Sequence, residues 1–168
     1  MAAVQGNLEA ISHLAFCNQH GIGTEKNLEH AAILYRKAAE AEHTPSQYQL
    51  GLCYHKGEGL EQDLVAAAGW YYKAAKKGDR WAQFHLGVCY YYGDGVEQDF
   101  SQAVELFKVS ASQGLDEAQY HLGVCLLNGQ GAERNLEIAA GLFQMASDQG
   151  HAEARNILNE PGKRGIIP

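Results

Sequence analysis

Three prolines in 168 residues leave little to interrupt helices, and no run of 18 or more apolar residues offers a membrane span. The first ten residues, MAAVQGNLEA, carry neither a basic nor an apolar stretch of the kind that leads a secreted chain. Low-complexity linkers are missing; EAEHTPSQ and KKGDRW are short charged turns. Positive charge is scarce: 13 Lys and Arg stand against 20 Asp and Glu, a formal charge of −7. Nucleic acid is therefore a poor partner, since phosphate binding needs clustered Lys and Arg. Basic or apolar protein surfaces suit this chain better.

What is present is repetition. Sliding the chain by 36 residues aligns Leu14, Leu50, Leu86 and Leu122, then Ala15, Gly51, Gly87 and Gly123, then Cys17, Cys53, Cys89 and Cys125. The glycine pairs Gly21/Gly23, Gly57/Gly59, Gly93/Gly95 and Gly129/Gly131 follow in step, as do Asn27, Asp63, Asp99 and Asn135. A fixed period of this size is the mark of a solenoid. Each period reads as two helices. Ala82, Leu86, Cys89 and Tyr90 form one stripe of a helix A, which the glycine pair ends. Asp99 then caps a helix B with Ala103, Leu106, Phe107 and Ala111 inward, and Gly114 closes it. Gly6, Gly78 and Gly150 share that closing slot, whereas Glu42 replaces glycine in the first full repeat.

These residues resemble the Sel-one-like repeat, a relative of the tetratricopeptide repeat. The likeness is fullest over Ser46 to Gly78, where Leu50, Gly51, Tyr54, Gly57, Gly59, Asp63, Ala67, Trp70, Tyr71, Lys73, Ala74, Ala75 and Gly78 fit, and it extends over about Gly6 to Leu158. The departures are Asn18 and Leu126 in the slot of Tyr54 and Tyr90, and Val109–Ser110 for Lys–Ala. The resemblance implies an all-α, right-handed superhelical solenoid of about nine helices and a non-catalytic scaffold for protein binding. It also suggests an adaptor within a larger signalling or quality-control protein.

The expected layout is one domain over 1–160. Residues 1–6 would end a preceding helix B, with repeats at 7–42, 43–78, 79–114 and 115–150, a capping helix at 151–160 that Pro161 stops, and a flexible tail at 161–168. The opening fragment suggests a chain cut from a longer protein.

The cysteines occupy one slot in successive repeats. Neighbouring helices sit roughly 8 to 10 Å apart, too far for a disulfide, which wants α-carbons within about 7 Å. They read as small buried apolar residues with reduced thiols, hence a cytoplasmic or otherwise intracellular setting. By the resemblance, disulfide-linked relatives carry two cysteines per repeat; here there is one. His13, His85 and His121 lie four residues before Cys17, Cys89 and Cys125, and Gln49 breaks that column. A hydrolase or metal protein built on these pairs is the alternative, but zinc needs four convergent ligands and a catalytic base needs an orienting partner. No catalytic residue, metal or cofactor is expected. The GxG turns lack the Lys–Ser/Thr of a P-loop and follow helices.

In tetratricopeptide-like stacks helix A lines the concave face. By that resemblance the candidate partner-binding groove holds Tyr48, Leu52, His55, Trp81, Phe84, Val88, Tyr91, Tyr92, Tyr120 and Val124. Trp81, Phe84, Val88, Tyr91 and Tyr92 form a second apolar stripe on their helix, and a helix apolar on two faces is either buried on both or offers one to a partner. The partner would be an extended or helical peptide or a protein. Packing between repeats is the competing explanation of the stripe, and self-association of the chain a further alternative function. Lys56 and Asn128 alone do not make the two-carboxylate clamp of chaperone-tail binding domains. His20 and His55 are placed at the groove edge, and His30, His43 and His151 toward solvent.

Overall fold

In the computed structural model, residues 2–159 are described, with side chains from residue 6 onward. They form helices only: α1 Ala2–His20, α2 Leu28–Glu40, α3 Thr44–Lys56, α4 Leu64–Lys76, α5 Arg80–Tyr92, α6 Phe100–Ser112, α7 Asp116–Asn128, α8 Leu136–Asp148 and α9 Ala152–Asn159. The fold is an all-α solenoid of helix pairs, with helices A (α1, α3, α5, α7) alternating with helices B. Among the described residues no helix is long and apolar enough to cross a membrane.

Local chemistry sets the period. Asn27, Asp63, Asp99 and Asn135 each accept, through a side-chain oxygen, the N–H three residues on: His30, Ala66, Gln102 and Ile138. Their own N–H groups donate back to the last turn of helix A, to the carbonyls of Asn18, Tyr54, Tyr90 and Leu126 at 2.8–3.0 Å. Helix A ends where Gly57 and Gly129 turn left-handed (φ 69° and 70°) and donate to the Cys53 and Cys125 carbonyls. Both ends of the A-to-B turn are thus tied to one strip of helix A, which fixes how helix B departs.

The contacts group into two compact units, Met1–Ala82 and Gln83–Pro168. In the first unit α1, α2, α3 and α4 pack in succession; in the second α6, α7, α8 and α9 do. The core is the same in each: small residues on helix B (Ala31, Ala32, Ala67, Ala68, Ala103, Ala139) around one large ring per repeat, Tyr35, Tyr71, Phe107 or Phe143, all buried. The recurrent glycine of helix A exists for that ring. A Cβ on Gly51, Gly87 or Gly123 would lie 2.6–2.7 Å from the Tyr71, Phe107 or Phe143 ring, closer than real contacts allow.

Two expectations change. The turn at Gly6 does not form, because α1 runs unbroken from Ala2 to His20. Glycine permits a turn without compelling one, and inside a helix it costs only about 1 kcal/mol relative to alanine. Leu14, aligned with the buried Leu50, Leu86 and Leu122, is 49% exposed, since among the described residues no helix precedes α1 to cover it. At the other end α9 spans Ala152–Asn159, and Pro161 with the 161–168 tail lies outside the described residues. Glu42 does take the closing conformation of its glycine counterparts, φ 67°, and Lys77 braces it by bonding both its carbonyl (2.9 Å) and its carboxylate.

Candidate functional site

The helix-A faces divide by unit. In the second unit, α5 and α7 meet through aromatic rings. Phe84, expected in the groove, is only 8% exposed: it packs 5.9 Å from the Phe107 ring and edge-on to His121 at 5.1 Å. For this residue packing takes the side chain, because the B-helix ring below and the next A helix beside it enclose it. Tyr120 repeats the arrangement over Phe143 at 5.9 Å and stacks on His151 at 4.5 Å. Val88 and Val124 are half-buried. Tyr91 is half-buried too, and its hydroxyl donates to Gln130 Oε1 at 2.9 Å. Burial raises the Tyr91 hydroxyl pKa above the usual phenol value, so this donor stays protonated. Tyr92 stands out from the face at 60% exposure, its ring braced edge-on by Tyr91 at 4.9 Å.

In the first unit, Tyr48 lies half-buried over Tyr71 at 6.1 Å, with His55 6.3 Å from the same ring. Leu52 and Trp81 are half-buried, so these four bring partial surfaces rather than projecting side chains. The first repeat differs from the other three. Ser12 stands in the slot of Tyr48, Phe84 and Tyr120, and a cavity of about 260 Å³ opens there beside Tyr35. Its lining includes Glu9, Ser12, Phe16, Pro45 and Gln49, with Phe16 43% exposed.

Several functional details escape sequence reasoning. The middle residue of the GxG turn reaches back to the preceding repeat: Glu58 Oε2 accepts from Gln19 Nε2 at 3.1 Å, as Gln130 accepts from Tyr91. Gln19 also accepts from the Tyr35 hydroxyl at 3.0 Å. Only the variability of that middle residue (Ile22, Glu58, Asp94, Gln130) hints at it. A second miss is the buried column Gln47, Gln83 and Gln119, which recurs at the repeat period but is polar. Gln83 accepts from Gln113 at 2.7 Å and Gln119 from Gln149 at 2.9 Å, tying helix A to the end of the following helix B.

His43 and His151 are corrected outright. Their side chains are each 11% exposed, not solvent-facing, because each turns back onto neighbouring groups, His43 onto Glu9 and Ser46 and His151 onto Ala154 and Tyr120. His43 Nε2 donates to Glu9 Oε2 at 3.0 Å while Nδ1 accepts from Ser46 at 2.8 Å; His151 Nδ1 accepts from the Ala154 N–H at 3.3 Å. His30 is exposed, as expected, and His20 lies against Phe16 with ring centroids 4.1 Å apart.

The His–Cys columns do not assemble chemistry. His121 Nδ1 donates to the Glu117 carbonyl at 2.8 Å, and burial lowers its pKa, so the ring is held neutral. The four cysteines are free; Cys53, Cys89 and Cys125 are buried and Cys17 half-buried. Burial lifts the three buried thiols to about 11, opposite to the depressed values of reactive thiolates. Among the described residues no three His, Cys, Asp or Glu side chains converge as metal ligands would.

Comparison with known proteins places this geometry. The Sel1 repeat family matches residues 8–43, 44–79, 82–115 and 116–151. A protective antigen of uropathogenic Escherichia coli with an SLR fold is 38% identical, over 98% of this chain and 35% of its own length, with a TM-score of 0.91. This chain therefore spans about a third of that relative. A Sel1 repeat protein from Oxalobacter formigenes is 30% identical over 98% of this chain and 68% of its own, TM-score 0.87. Cysteine rich protein B of Helicobacter pylori is 28% identical over 70% and 90%, TM-score 0.57. Among curated proteins nothing matches. Sel1 repeats are typically protein-interaction scaffolds and generally non-catalytic. With four consecutive matches covering most of its length, the chain belongs to the Sel1 repeat family.

Proposed function

We propose that the chain is a non-catalytic scaffold that binds a peptide or protein segment on the exposed faces of its A helices. Tyr92 carries the reading. A 60% exposed ring held rigid by Tyr91, whose hydroxyl is itself fixed by Gln130, is costly to leave in water and loses little entropy on binding. Val88 on the same helix and Val124 on α7, both half-buried, add partial apolar surface to the A-helix faces. In the first unit Tyr48, Leu52, His55 and Trp81 offer a comparable partial surface.

Panning a random peptide library on the immobilised chain tests this. Selected peptides are expected to lose about 30-fold in affinity against Tyr92→Ala, the size of a typical aromatic anchor of about 2 kcal/mol. Peptides that bind Tyr92→Ala and Val124→Asp as tightly as the unaltered chain would remove the A-helix face as the binding surface.

A further inference from the structure

Three of the four repeats fill one A-helix slot with a ring, and the fourth leaves it open. Tyr48, Phe84 and Tyr120 each lie 5.9–6.1 Å from the buried ring of their own helix B. That separation is the favourable range for aromatic pairs. In the first repeat the B-helix ring, Tyr35, is present, but Ser12 takes the place of its partner. The resulting pocket, open to solvent, measures about 260 Å³, space on the scale of one aromatic side chain. Phe16 and Pro45 wall it with apolar surface, and Phe16 remains largely exposed.

The rim has one sign of fixed charge. Glu9, 62% exposed, lines the cavity, and no Lys or Arg does. His43 holds Oε2 of Glu9 in place, which orients the carboxylate, while Oε1 faces the exposed His13 at 3.9 Å. An incoming ring would complete the pattern seen three times over, and a cation beside it would meet Glu9.

We infer that the Ser12 vacancy is an anchor pocket for an aromatic side chain of a peptide partner that carries Lys or Arg next to that ring. The inference rests on the scaffold reading and gives it a ligand chemistry. The other repeats cannot serve in this way, because their slot is occupied from within.

The probes are two capped tripeptides, acetyl-Arg-Phe-Arg-amide and acetyl-Arg-Ala-Arg-amide, titrated into the ¹⁵N-labelled chain. The phenylalanine peptide is expected to shift the Ser12, Phe16 and Gln49 amides saturably, with the alanine peptide at least tenfold weaker. Ser12→Tyr supplies the missing ring and should weaken the phenylalanine peptide at least tenfold while leaving the melting temperature equal or higher. Equal responses to both peptides, or unchanged binding by Ser12→Tyr, would overturn the pocket. Should Ser12→Tyr fail to fold, intermolecular NOEs from the probe ring to the Phe16 and Tyr35 rings decide on the unaltered chain, and their absence overturns it too. Shifts confined to Val88, Tyr91 and Tyr92 sink the pocket and leave the scaffold standing. Failure of the scaffold reading shows separately, as library peptides indifferent to Tyr92.

Discussion

The two compact units use one framework and finish it differently. In Gln83–Pro168 the A-helix rings are absorbed: Phe84, His121, Phe107, Tyr120 and His151 form a chain of ring contacts, and Tyr91 links it to the exposed Tyr92. In Met1–Ala82 the first repeat has Ser12 where a ring would be, and Glu42 where a glycine would be. Charge differs as well. The first unit has eight Lys and Arg against nine Asp and Glu, a net −1, and the second has five against eleven, a net −6. Much of the first unit's positive charge is engaged at its own surface, with Lys73 over Trp70 at 3.9 Å, Arg36 bonded to Tyr54 and Lys77 to Glu42. A slot filled in every repeat is structure. One that a single repeat leaves empty is where a ligand can be read.

Removing the central ring from each unit probes the difference most strongly. Phe107→Ala is expected to cost about 3 to 5 kcal/mol of unfolding free energy, because Phe84, Tyr91 and His121 all rest on that ring. Tyr35→Ala should fall at or below the lower end of that range, since Ser12 stands where an A-helix ring packs on the B-helix ring in the other repeats. Urea denaturation of both variants measures the gap, and equal costs would mean that the open slot is not a packing defect. A smaller effect is expected at Glu42. A non-glycine residue in the left-handed region costs about 1 kcal/mol or more, so Glu42→Gly should raise the urea midpoint despite losing the exposed pair with Lys77; a lower midpoint would show that the pair dominates.

The smallest effect lies in pH. Burial depresses the folded-state pKa of His121 below its ordinary 6.5, so the unfolded chain takes up the proton first. The contribution is full above about pH 6.5 and is lost as pH falls through the lower, folded value. Glu117, Tyr120 and His151 are its titratable neighbours. His121→Gln should therefore show a shallower loss of stability between pH 7 and 5 than the unaltered chain, read from urea midpoints along the series. No first-unit residue occupies a matching buried imidazole site: the corresponding positions are the exposed His13 and Gln49.

Period, helix pairing and the N-caps are legible in the sequence because each rests on a residue type with a narrow structural role: Asp or Asn before a helix, glycine after one. The function of Gly87 is legible only in part. Its recurrence marks it, but the reason, a ring 2.7 Å from a would-be Cβ, depends on a residue twenty positions away. The glutamine column is missed because a periodic polar residue looks like a solvent face until its partners appear. The second apolar stripe is half legible. Periodicity places Phe84 and Tyr92 on the same stripe, yet their exposure differs more than sevenfold, because neighbouring helices cover one end of the stripe and not the other. Gly6 misleads for a simple reason: a turn needs partners for its freed groups, and glycine alone supplies none.

The back-reaching turn residues bear on how such arrays change. Glu58 completes the surface around Gln19, and Gln130 the surface around Tyr91, although each belongs to the following 36 residues. The segment that is duplicated or exchanged is therefore out of phase with the surface that it completes. Inserting or swapping one repeat rewrites two neighbouring surfaces at once, its own and its predecessor's, so new specificities can arise at a junction without any point substitution in either parent repeat.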